Sequence, residues 1–288
     1  MYKPYIQKIA NILLVNHHHI SRKGLLRGHL GVALFFYHYS RYMGIEYYEE
    51  IAGEIIDYVL SEQLPKMNQS FDEGAFGTGW CVNYLESNGF IETDDKTWES
   101  LNTLAMQKTS CNLDFDLECN TPVFSLGLFC CKKCNKKILE NIISYLESIL
   151  SETLCLCYIN SIIYFLLCCI RDQRENQQCQ LLLDKFITMA NKIIKKEMCN
   201  SKDVIALKLI LSKNTSENIT GCLNTDILND VYLNWQTVVY NDMMCKKSSL
   251  NLSEINKYID QIECNVPSDS ISLNGIASLG INLMQQDY

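Results

Sequence analysis

Residues 28–35 read Gly28-His-Leu-Gly31-Val-Ala33-Leu-Phe35, and the same small-residue frame returns without gaps as Gly74-Ala-Phe-Gly77-Thr-Gly79-Trp-Cys81 and Gly275-Ile-Ala-Ser278-Leu-Gly280-Ile-Asn282. Pro122-Val-Phe-Ser125-Leu-Gly127-Leu-Phe129 is a weaker fourth copy. Successive starts at 28, 74 and 122 lie 46 and 48 residues apart. That length holds one inner helix, a turn and one outer helix at about 1.5 Å per residue, so each unit is a helical hairpin. Small residues at the start of each inner helix let neighbouring helix ends converge, as a ring of hairpins requires at its narrow end. The pattern predicts an all-α protein, an α/α toroid of about six to seven hairpins in a single domain over residues 1–288.

Between the turns, Tyr47 to Leu64, Ile138 to Leu150, Leu181 to Met198 and Ser253 to Cys264 carry apolar residues at steps of three and four with charges between. Such stretches predict outer, half-solvated helices. Leu30 to Tyr39, Thr78 to Leu85, Ser125 to Cys131, Ile159 to Cys169 and Ile276 to Met284 are apolar nearly all round and predict inner helices surrounded by protein. Almost no stretch alternates as a half-buried strand does.

Of the 288 residues 48% are hydrophobic and 20% charged, with 4 Pro and 13 Gly, the balance of a packed globule. The net charge of −8 leaves no basic face for a phosphate backbone, so a nucleic-acid partner is not expected. Leu154 to Ile170 is the longest uncharged stretch, but it includes Asn160, Ser161 and four Cys and reads as a buried helix, not a membrane span. Residues 1–16 lack an uninterrupted apolar run and a small-residue cleavage site, so no secretion signal is expected. The 15 Cys, an odd number with several at apolar helix positions, such as Cys168 and Cys169, fit a reducing cytoplasm where thiols act as small hydrophobes.

The turns and their flanks resemble the lanthionine synthetase C-like family, whose repeats open with a Gly-x-x-Gly-x-Gly/Ala turn into an inner helix. Gly24 to Tyr39 with the following Arg41-Tyr-Met-Gly44 is similar to the family's first repeat. Gly74 to Trp80 with Tyr84-Leu-Glu-Ser-Asn-Gly89-Phe is similar to its second, and Ser272 to Gly280 to its last. The resemblance implies a toroid associated with maturation of a small precursor peptide. In the family a zinc-bound Cys thiolate of the peptide adds to a dehydrated Ser or Thr, the metal keeping that thiol deprotonated.

The later repeats depart from the family's zinc pattern. Cys157 occupies the position of a histidine and Tyr158 that of a glycine in the turn that supplies the acid or base. Gly221-Cys222-Leu223-Asn224 resembles the Cys-His-Gly turn, with Leu223 in place of the histidine ligand. The remaining candidate ligand, Cys199, lies one residue out of register and only half a repeat before Cys222, so the ring is expected to be shortened or opened near residues 200–220. All five His fall at 17, 18, 19, 29 and 38, so none is present in the later repeats. A cyclase that has lost its metal is therefore expected: a chain with no cofactor that binds a precursor peptide or a peptide-maturation enzyme. The alternative is an active cyclase with a Cys-only zinc site at Cys157, Cys199 and Cys222, since zinc accepts sulfur ligands. A toroid acting on a carbohydrate is a third reading, and it requires paired carboxylates across a sugar ring.

His29 lies inside the first turn, and Asp72 and Glu73 precede the second, so these three with Trp80 are candidates to face a ligand. The plainer account of Asp72 and Glu73 is acidic residues at the positive end of a helix dipole. Cys130, Cys131 and Cys134 contain a Cys-x-x-Cys with no second pair to complete a tetrahedral set. The run His17-His18-His19 reads as a loop.

Overall fold

The computed structural model describes residues 1–63, 67, 73–109, 136–171, 176–196, 201–212, 252–264, 271–273 and 275–287. Every regular element among them is helical, and no strand occurs among the described residues. In chain order the α-helices are α1 (Lys3–Asn16), α2 (His29–Met43), α3 (Tyr47–Tyr58), α4 (Ala75–Ser87), α5 (Asp95–Thr109), α6 (Lys136–Ser148), α7 (Leu156–Arg171), α8 (Asn176–Lys195), α9 (Ser201–Ser212), α10 (Leu252–Cys264) and α11 (Ile276–Asp287). The chain forms two compact units, Met1–Leu101 with Cys222–Tyr288, and Asn102–Gly221.

In the first unit, α2 and α4 are buried helices: His29 to Tyr37 and Ala75 to Leu85 are buried without a break. Each starts directly after a glycine in extended conformation, Gly28 or Gly74, which ends the preceding loop with no side chain to accommodate. Helix α2 stops where Gly44 takes the left-handed conformation at φ 68°, its N–H returning to the Ser40 carbonyl at 2.8 Å. The chain then reverses into α3, which buries only Ala52, Ile55 and Ile56 on the face toward α2. In place of the regular helix expected as far as Leu64, α-helical geometry ends at Tyr58 and the chain continues as a wider π turn over Val59–Gln63.

Helix α11 packs against both α1 and α2. Gly280 makes this approach possible, because a Cβ there would overlap Phe35 Cε2 and stand 3.2 Å from Ile9 Cγ2. The other side of α1 meets α10, where Lys8 Nζ reaches Asp260 Oδ1 at 2.6 Å and Glu263 Oε2 at 2.7 Å. Tyr39 of α2 donates to Gln7 Oε1 of α1 at 2.7 Å. Asp287 at the end of α11 accepts the Tyr42 hydroxyl at 2.5 Å.

In the second unit, α7 is a buried helix, fully covered at Ile159, Ile162, Ile163, Phe165 and Leu166 and packed on α8 and α9. The fully buried Asn160 donates from Nδ2 to the Asp203 carbonyl at 2.8 Å, tying α7 to the first turn of α9. Helices α6 and α8 are amphipathic, burying Leu139, Ile142, Ile143 and Leu146, and Cys179, Leu182, Leu183, Phe186 and Ala190. The expected inner helix over 125–131 lies outside the described residues, as do residues 213–251.

Candidate functional site

The first and last glycine turns meet side by side. A Cβ on Gly31 would overlap Ser272 Oγ and fall 2.6 Å from the Leu25 carbonyl oxygen and 2.7 Å from the Leu273 amide nitrogen. Ser272 Oγ donates to the Gly28 carbonyl at 2.7 Å, so the turn before α11 is stitched to the turn before α2 by a buried hydrogen bond. Gly28 is itself packed on the backbone of Gly24, where a Cβ would overlap the amide nitrogen. Small residues here serve a close backbone approach across 244 residues of sequence.

His29 opens α2 and is buried against the loop that leads into it. Its Nδ1 lies 3.0 Å from the Arg22 carbonyl, which can only accept, so Nδ1 carries the proton. The His17 carbonyl also faces the ring, and Lys23 Nζ stands 3.4 Å from Nδ1. Burial, with the Lys23 charge adding to it, pushes the imidazole down to about 4, so the ring is neutral at physiological pH. His29 thus works first as a clamp on residues 17–23. His17 beside it meets the Leu14 carbonyl through Nδ1 at 2.8 Å and sits edge-on to Phe36, and burial lowers its pKa as well. His17–His19 forms a 3₁₀ turn in place of the expected loop.

Glu73 forms an ion pair with Arg22, joining the approach to α4 to the loop before α2. Lys23 lies over the Tyr58 ring at 5.0 Å from its centroid. The loops from which α2 and α4 start therefore carry both signs of charge. Asp72 lies outside the described residues. Trp80 is buried one helical turn into α4 and stacks on Tyr84 at 5.4 Å. Tyr84 in turn shares a 2.8 Å hydrogen bond with His38 Nε2, and Phe90 closes edge-on over the His38 ring. Desolvation holds His38 down to about 4.

The structure brings His29 and Glu73 to the same loop, each through a partner, Lys23 or Arg22, that no motif in the sequence singles out. The signal available is the Arg22-Lys23 pair immediately before Gly24. The acidic partner of Arg22, 51 residues away, has no counterpart in local pattern.

Of the three cysteines considered as zinc ligands, Cys199 and Cys222 lie outside the described residues, as do Cys130, Cys131 and Cys134. Cys157 is half-exposed in the first turn of α7, and its Sγ stands 3.0 Å from that of Cys155. Among the described residues no group of three or more His, Cys, Asp or Glu converges as a metal site. No helix among them is long and apolar enough to cross a membrane.

No protein-family model, no curated protein and no solved structure matches this chain.

Proposed function

We propose that the chain is a degenerate member of the lanthionine synthetase C-like family, an α/α toroid of the cytoplasm that binds a small precursor peptide or a peptide-maturation enzyme and does not itself run the zinc cyclisation. The observation that carries this reading is the contact between the first and last glycine turns, with Gly31 and Gly280 each placed where a Cβ would collide with the opposite repeat. Closing a ring of repeats would need small residues at such positions, and in the first and last copies Gly31 and Gly280 stand at close approaches of this kind. The binding role rests on the later turns, where Leu223 stands at the position of the histidine ligand and every His of the chain lies at or before residue 38. Leucine offers no lone pair to a metal, so the cyclase chemistry loses a ligand while the scaffold persists.

Two measurements on tag-free protein test this. Elemental analysis of the wild type and of Cys222→Ala is expected to find no zinc in either. About one zinc per chain, lost in the variant, overturns the binding role in favour of a thiolate-zinc cyclase. A synthetic peptide carrying one Cys and one dehydroalanine is expected to bind, by fluorescence anisotropy, with its thiol still titratable afterwards. Loss of that thiol with zinc present signals cyclisation, and absence of binding removes the link to peptide maturation.

A further inference from the structure

Six cysteine side chains are described, and they divide sharply by environment. Cys81, Cys168, Cys169 and Cys179 are buried, and burial pushes the Cys81 thiol well above its ordinary range, which makes it inert. Cys155 is exposed and Cys157 half-exposed. Their Sγ atoms stand 3.0 Å apart, about 1 Å beyond the length of a disulfide bond.

The backbone explains why the two thiols converge. Cys155 is the residue before α7, and its carbonyl accepts the Ile159 amide at 3.2 Å, so it caps the helix. Cys157 is the second residue of the same helix. Residues in these positions bring their side chains to one end of the helix, the end whose dipole attracts anionic groups. That end is reachable from solvent through Cys155.

We propose that Cys155 and Cys157 form a reversible dithiol–disulfide site that exchanges with low-molecular-weight disulfides. The exposed Cys155 thiolate attacks one sulfur of the small disulfide, forming a mixed disulfide and expelling one small thiolate. Cys157 then attacks Cys155 Sγ, forming the Sγ–Sγ bond and expelling the second small thiolate. The two protons lost by the cysteines are taken up by the two leaving thiolates. The protein gives up two electrons, and the small disulfide is reduced to two thiols. With one residue between the cysteines, the ring closed is so short that it takes little entropy from the unfolded chain, and the bond belongs to the labile class, not the structural one. This inference rests on the geometry of α7 alone and stands apart from the peptide-maturation reading.

The full-length protein, equilibrated anaerobically in mixtures of reduced and oxidised glutathione, is acid-quenched, alkylated and cleaved after aromatic residues. Tyr158, Tyr164 and Phe165 separate Cys155 and Cys157 from Cys168 and Cys169, so the pair is read on its own peptide. The expected product is that peptide two hydrogens lighter, formed at least about tenfold more readily than any oxidised form of Cys168 and Cys169, and reversed by excess reduced glutathione. Cys157→Ser is expected to remove it and to trap glutathione on Cys155. Stable glutathione adducts on both cysteines of the wild type overturn the proposal. So does bonding of either cysteine to a different one, or oxidation no easier than at the buried pair.

Discussion

At the scale of single residues, the glycines of this chain are not equivalent. A Cβ on Gly31 meets backbone atoms of Leu25 and Leu273, which cannot step aside, and on Gly280 it meets the fully buried ring of Phe35. Gly31→Ala and Gly280→Ala are each expected to cost about 1–3 kcal/mol in denaturant unfolding, the scale of an overpacked core. Gly53 is the control, since it lies inside α3 and a Cβ there finds only the Tyr37 hydroxyl, 3.8 Å away. Gly53→Ala is expected to stabilise by up to about 1 kcal/mol through helix propensity alone. The repeated small residues are visible in the sequence; which of them bear a contact is not, because the partner of Gly31 lies at Ser272.

The same scale governs the response to acid. His29 and His38 are held at about 4, against about 6.5 when unfolded, chiefly by burial. Between those values the unfolded chain binds protons that the folded chain refuses, so stability rises with pH and is lost as pH falls from about 6.5 toward about 4. Each ring contributes at most about 1.4 kcal/mol per pH unit in that window and nothing above it. Urea midpoints are expected to hold steady between about pH 7 and 8 and to fall below about pH 6.5. His38→Gln, whose amide can donate to or accept from the Tyr84 hydroxyl, is expected to flatten the slope by its share.

At the scale of elements, packing outweighs charge. Ile9 of α1 is fully buried beside Gly280, and Ile9→Ala is expected to cost about 2–5 kcal/mol. Lys8, next to it, bridges Asp260 and Glu263 on α10, but all three side chains reach water. Lys8→Ala is expected to cost under about 1 kcal/mol, and less still in high salt. Helix α1 is not among the helices expected from the sequence: Ile6, Ile9, Ala10 and Leu13 keep helical spacing, but the Lys, Gln and Asn residues between them mask it. Helix α5 is harder. It has few apolar residues, and its start is marked by Asp94, whose carboxylate accepts both the amide and the hydroxyl of Thr97 at 2.9 and 2.7 Å. Helices α6, α8 and α10 follow their apolar spacing closely, because a half-buried surface leaves its period in the sequence. In α7, the uniformly apolar run predicts burial but says nothing of direction, so only the structure reveals that Cys155 and Cys157 share one end of it.

At the scale of the whole molecule, the all-helical class follows from the periodicity, whereas the packing of α11 on α1 and α2 follows from contacts that no local pattern encodes. That packing sets a timetable for synthesis. The faces of α1 and α2 that receive α11 wait for a segment whose Ser272 hydroxyl meets the Gly28 carbonyl across 244 residues. At about 5–20 residues per second, the nascent chain carries those apolar faces uncovered for about ten to fifty seconds. Contacts this distant in sequence slow the final docking step as well. A fragment comprising residues 1–270 is expected to be cut rapidly by protease within α1 and α2, where the full chain resists, and to recover protection when a peptide spanning 271–288 is supplied in trans. The stitch between two glycine turns thus leaves α1 and α2 unsecured until α11 has been made, and gives a chaperone at the ribosome a long engagement with those two helices.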